Sequence, residues 1–177
     1  FYEGISTTDI QETLIKSAAD LISEETPNYQ TVAGRLIVYH INKMVYDGAT
    51  PWHIYKLVKH NVEKGFYDAE LLSEYNEEEW NTINSWVKHE RDEQLTYAAM
   101  EQFRGKYLVQ NRVTKTLYET PQMCYMLIAA TLFQDYDRKT RLRWVKDYTQ
   151  FQSIGGRVCF LDMADEGQTY RFISAHL

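Results

Sequence analysis

The chain has 177 residues, enough for one domain or two small ones, and 44% of them are hydrophobic, which supplies a core at that length. Nineteen Lys and Arg, scattered along the chain, stand against 25 Asp and Glu for a formal charge of −6, which argues against nucleic acid as a partner. No apolar run approaches the roughly 20 residues of a membrane helix, no signal peptide opens the chain, and Cys124 and Cys159 form neither a disulfide framework nor a metal spacing; a cytoplasmic, reducing setting fits.

The first predicted helix starts in Thr7-Thr8-Asp9-Ile10-Gln11, where a Thr three residues ahead of Gln can form a reciprocal capping box; Ile10, Leu14, Ala18, Leu21 and Ile22 then make one apolar stripe. A second starts after Thr26-Pro27, with Tyr29, Val32, Leu36, Ile37 and Met44 on its apolar face, and Gly48 ends it. Thr50-Pro51 opens a third, lined by Trp52, Tyr55, Val58 and Val62 and closed by Gly65, and Asp68 to Tyr75 is a short helical segment. Asn76 with Glu79 reads as another capping box, opening a helix whose Trp80, Ile83 and Val87 face inward.

After His89-Glu90-Arg91-Asp92 a further helix uses Leu95, Ala98, Ala99, Gln102 and Phe103. From Gly105 the pattern turns β-rich, Lys106–Val109 and Thr116–Glu119 around a polar Gln110–Lys115 turn, which predicts a hairpin. Pro121 starts a helix that is apolar all round from Met123 to Phe133, the mark of burial, and Asp137 caps a last one over Arg138–Lys146. Beyond Lys146 the pattern weakens; Gly155-Gly156 interrupts it, and Val158–Leu161 is a lone strand-like stretch.

No phosphate loop, dinucleotide fingerprint, nucleophile elbow or zinc ligand set occurs. His53 and His60 share a helical face without a Cys or carboxylate to complete a metal site, and His89-Glu90-Arg91-Asp92 reads as an ion-paired face. Cys124 reads as a small core hydrophobe, and no catalytic residue is assigned. The suggestive constellation is Thr7 at a helix start with His40 and Lys43 three apart on the second helix. Free first-turn amides and a Lys point charge suit a triphosphate, although a capping Thr and a solvent-facing Lys explain the same residues.

Phe1-Tyr2-Glu3-Gly4-Ile5-Ser6-Thr7-Thr8-Asp9-Ile10, Pro27-Asn28-Tyr29-Gln30, Gly65-Phe66-Tyr67-Asp68, His89-Glu90-Arg91-Asp92, Gly105-Lys106-Tyr107-Leu108-Val109-Gln110-Asn111-Arg112 and Tyr118-Glu119-Thr120-Pro121-Gln122 occur in one order over the first 146 residues. Together they resemble the N-terminal region of class I ribonucleotide reductase large subunits of the bacterial and T4-like phage type. The resemblance implies a mainly α fold in three parts. Residues 1–48 are the C-terminal part of an ATP cone, residues 49–146 an orthogonal helical domain with one small hairpin, and residues 147–177 an atypical tail where the family pattern is lost.

It further implies that Thr7, His40 and Lys43 line an allosteric site for ATP and dATP, with Gln11 standing where relatives often have His. The lid and first helix of the cone would precede Phe1, so nucleotide binding is expected to be weak or absent. The catalytic α/β barrel, with its radical and redox cysteines, would lie beyond the match. The chain alone is then expected to be incompetent in ribonucleoside-diphosphate reduction, the step that supplies deoxyribonucleotides for DNA replication. The implied partners are the small di-iron, radical-generating subunit and the remainder of the large subunit, or a second barrel-containing chain of a split reductase. A non-enzymatic nucleotide-sensing or helical interaction module is the reading from a different class. No metal, membrane or nucleic acid enters any of these.

Overall fold

A computed structural model of the chain describes residues 4–48 and 50–155, with side chains described through Thr149. Val158–Leu161 and Cys159 lie outside the described residues. Among the described residues there are eight α-helices and no strand. None of these helices is long and apolar enough to cross a membrane. The fold divides into two compact units. Among the described residues, one combines the segment up to Pro51 with His89–Pro121, the other Trp52–Lys88 with residues 122–155.

The first unit is built on α1 (Thr7–Asp20) and α2 (Tyr29–Tyr46). The cap of α1 is Ser6, two residues ahead of the Thr of the predicted Thr-Gln box. Its hydroxyl accepts from the Asp9 amide at 3.1 Å and donates to the Asp9 carboxylate at 2.8 Å, a cap worth about 1 kcal/mol. The predicted stripe is rotated as well: Ile15 and Ala18 are buried, whereas Leu14 and Leu21 are 43% and 52% exposed.

In α2 the buried residues are Ala33, Gly34, Ile37, Val38, His40, Ile41, Val45 and Tyr46, so of the five predicted inward residues only Ile37 is fully covered. The helix starts two residues after Pro27, and Asp47 rather than Gly48 terminates it by adopting the left-handed conformation, φ 53°. Gly34 passes so close to the backbone at Leu95 and Thr96 that a Cβ there would overlap the Leu95 carbonyl.

From His89 the chain makes a 3₁₀ turn (His89–Gln94), then α6 (Tyr97–Gln102), capped by Thr96, and passes directly into a π-helical turn (Phe103–Tyr107). The predicted hairpin is therefore corrected. Lys106 and Tyr107 belong to that helical turn, and a single antiparallel bridge, Gln110 with Leu117, remains.

Two backbone bonds flank this bridge, from the Asn111 amide to the Thr116 carbonyl at 2.9 Å and from the Tyr118 amide to the Val109 carbonyl at 3.0 Å, and side chains take neighbouring amides. The buried Glu119 carboxylate accepts from the Val109 amide at 3.0 Å, and the Leu117 amide points at the Met44 sulfur at 3.1 Å. The tip is organised by Asn111, whose side-chain oxygen accepts from the Val113 and Thr114 amides at 2.9 and 3.0 Å.

The second unit contains α3 (Ile54–Glu63), α4 (Glu70–Glu74), α5 (Glu77–Trp86), α7 (Pro121–Phe133) and α8 (Arg138–Gly155). Its inward residues on α3 are Ile54, Leu57, Val58 and Asn61, so Tyr55, predicted inward, is exposed. The Asn76/Glu79 capping box forms as expected, with both reciprocal bonds near 3 Å. As its composition implies, α7 buries Met123, Cys124, Met126, Leu127, Ile128, Ala129 and Ala130. Asp137 caps α8 through the Lys139 and Thr140 amides, and this helix continues past Lys146, where the sequence pattern had weakened, to Gly155.

Candidate functional site

The polar centre of the first unit lies between α1 and α2. The short connection Leu21–Asn28 is folded by turn hydrogen bonds, and two packed helices joined this way run antiparallel. His40, only 6% exposed, holds its Nδ1 2.8 Å from Gln11 Oε1 and its Nε2 3.5 Å from Glu12 Oε1.

This contact fixes the register of the pair. Thr7 lies one turn before Gln11 on α1, and Lys43 lies one turn after His40 on α2. In antiparallel helices both displacements lead to the same end of the pair. Thr7 and Lys43 are exposed there; of the first-turn amides of α1, that of Asp9 is taken by the Ser6 hydroxyl, and those of Thr7 and Thr8 have no intrahelical acceptor.

Sequence reasoning singled out Thr7, His40 and Lys43 but missed the groups that hold His40. Gln11 is diverted from the predicted capping box to the imidazole. Arg104, 92 residues from Glu12, sends Nη1 to Glu12 Oε1 at 2.9 Å. Its Nη2 and Nε take the two oxygens of Glu101 at 2.7 and 2.9 Å. The i, i+3 pair Glu101/Arg104 is readable along one helix, whereas nothing local announces the partner on α1.

Burial pulls the His40 imidazole below its usual 6.5, Glu12 pushes it back up, and Arg104 and Lys43 push it further down. The imidazole is accordingly neutral at neutral pH, able to donate from only one nitrogen.

The other sequence candidates resolve into structural roles. His53 caps α3, its Nδ1 accepting from the Tyr55 amide at 3.2 Å, and His60 packs edge-on against Trp52 with ring centroids 5.4 Å apart. Among the described residues no group of three His, Cys, Asp or Glu could hold a metal ion. His89 packs edge-on against Tyr46, Asp92 is buried in the same unit, and Cys124 is 1% exposed inside α7.

A second charge pair, this one built on a buried carboxylate and also missed from sequence, sits in the other unit. Glu79, fully buried, is clasped by Arg141 Nε and Nη2 at 2.8 and 2.7 Å, and the same guanidinium lies over the Tyr75 ring at 4.6 Å.

Among the described residues, these features define an all-helical protein whose polar residues are organised into helix caps and ion pairs. The family "Ribonucleotide reductase, all-alpha domain" matches residues 93–153. The chain is 49% identical over 148 residues to ribonucleoside-diphosphate reductase 1 subunit alpha of Escherichia coli, covering 84% of this chain and 19% of that protein. It is likewise 49% identical over 148 residues to the subunit alpha of Haemophilus influenzae, covering 84% of this chain and 20% of that one. To the subunit alpha of Enterobacteria phage T4 it is 43% identical over 133 residues, 75% of this chain and 18% of the relative.

The chain belongs to the class I ribonucleotide reductase large-subunit family and is homologous to its N-terminal region. It spans about a fifth of the length of the curated relatives it matches.

Proposed function

We propose that this chain is the effector-sensing part of a ribonucleoside-diphosphate reductase large subunit. Thr7, His40 and Lys43 bind the phosphates and sugar of ATP or dATP at one end of the α1/α2 pair. The residues up to Gly48 then act as the C-terminal part of an ATP cone, and the following helices form the domain that leads toward a catalytic barrel. The radical-generating small subunit and the remaining large-subunit polypeptide are the partners of this reading. The assigned residues regulate; they do not carry out the reduction.

The observation that supports it is the His40 to Gln11 contact, which in an antiparallel pair brings the exposed Lys43 to the end where the α1 amides open. Helix N-terminal amides with an adjacent cation are a general solution for phosphate. The alternative, a Thr and a Lys with no ligand, predicts no difference between nucleotide and buffer.

Calorimetry of the 177-residue chain with dATP decides between them. Three side chains from one side make a weak site, so we expect saturable binding of modest affinity that Lys43→Ala abolishes. Heats that match dilution, or binding that survives Lys43→Ala, would remove the assignment.

A further inference from the structure

We propose that Arg104 is a positioning residue of the nucleotide site, which masks the Glu12 carboxylate and holds His40 where the ligand meets it. The inference rests on the nucleotide reading above. Glu12 is an awkward neighbour for an anion site. Its carboxylate lies 3.5 Å from His40, on the helix whose first turn would receive phosphate. An uncompensated negative charge at that place repels a triphosphate through a partly desolvated medium.

Arg104 removes that repulsion in a way its geometry dictates. Two of its nitrogens grip Glu101 side-on, which fixes the plane of the guanidinium, and in a rigid fork the remaining Nη1 is then directed at Glu12. The three side chains are only 24% to 33% exposed, so the pairing is screened less than a surface ion pair. The main chain is tied down too, because the Arg104 carbonyl accepts from Gln110 Nε2 at 2.9 Å. The charged groups facing His40 are thus Glu12 from α1, Lys43 from α2 and Arg104 from the π-helical turn.

The test uses the whole chain with dATP as titrant and compares Arg104→Ala, Glu12→Gln, their combination and Lys43→Ala. We expect Arg104→Ala to weaken binding about ten-fold, the effect of one unmasked charge close to a phosphate. Adding Glu12→Gln should restore affinity to within about two-fold of the parent, because the offending charge is gone.

A merely structural arginine gives no such rescue. Unchanged affinity in Arg104→Ala, or a double variant no tighter than Arg104→Ala, overturns the inference while Lys43→Ala still weakens binding. If Lys43→Ala has no effect either, the nucleotide reading itself has failed and this inference goes with it.

A readout without nucleotide separates the two further. Removing Arg104 takes a cation from beside His40, so the imidazole titration followed by NMR should move to higher pH; an unmoved midpoint contradicts the placement of Arg104. Should Arg104→Ala fail to fold, Arg104→Gln keeps planar donors without the charge and serves in every arm.

Discussion

Arg141 closes a side-on ion pair on Glu79, a carboxylate with no exposed surface that also completes the capping box of α5. One side chain therefore ends a helix and anchors α8 to it. Removing one partner of such a pair strands a buried charge, which costs about 3–5 kcal/mol, whereas an exposed pair contributes little. We expect Arg141→Ala to lower the unfolding free energy read from urea denaturation by that amount, and the midpoint with it. Arg138→Ala, which breaks the exposed pair to Glu78, should leave the midpoint in place. Equal, small effects of the two would show that Glu79 is hydrated in solution.

The approach of α2 to the Leu95–Thr96 backbone gives a second test. Gly34→Ala should destabilise the chain by about 1–3 kcal/mol, because a methyl group must push backbone aside. Gly105→Ala meets nothing within 4 Å and should be neutral or slightly stabilising, as expected of Gly replaced in a helical turn. Thermal denaturation of the two variants compares them directly.

The start of α1 separates stability from ligand contact. Ser6→Ala removes the cap and should cost about 1 kcal/mol in chemical denaturation. Thr7→Ala leaves the cap intact and should change stability by less than about 0.5 kcal/mol while weakening dATP binding. A Thr7→Ala variant as unstable as Ser6→Ala would relocate the cap.

Two imidazoles, His40 buried and His89 half-buried, make stability depend on pH. His40 and His89 both have their pKa lowered in the fold, chiefly by burial, and His89 Nδ1 has no hydrogen-bond partner among the described residues. Below about pH 6.5 the unfolded chain binds protons that the folded chain refuses, so their contribution is complete above 6.5 and is lost as pH falls through their folded values. Urea midpoints should fall between pH 7.5 and 5.5, and His89→Gln should flatten part of that slope. A parent chain with no slope in this window would mean that both rings are solvated.

Local chemistry was legible wherever a few neighbouring residues decide it. The Asn76/Glu79 box, the Asp137 cap, the αL turn at Gly65 and the all-apolar α7 could be read directly, because capping and φ preference act within a turn. Helix faces were less legible. Ile15 and Ile41, not Leu14 and Met44, fill the core, and a shift of one residue turns a stripe by about 100°. The hairpin was misread for a related reason: β propensity at Lys106–Val109 lost to a helix arriving from Tyr97 and to Glu119 taking the Val109 amide, the next rung.

In the candidate site, residue types and spacing on one helix pointed to His40 and Lys43, and long ordered words carried the family resemblance that the 49% identity over 148 residues confirms. The sequence by itself determined family membership, the number and kind of helices over most of the chain, and the caps at Asn76 and Asp137. Only the tertiary structure decided which helix faces are buried, that Gln11 serves His40 instead of a cap, and that Arg104 and Arg141 meet carboxylates 92 and 62 residues away. Caps and propensities are set by neighbours along the chain, whereas a buried charge is satisfied by whatever group the packing brings within about 3 Å, and chain separation carries no trace of that encounter.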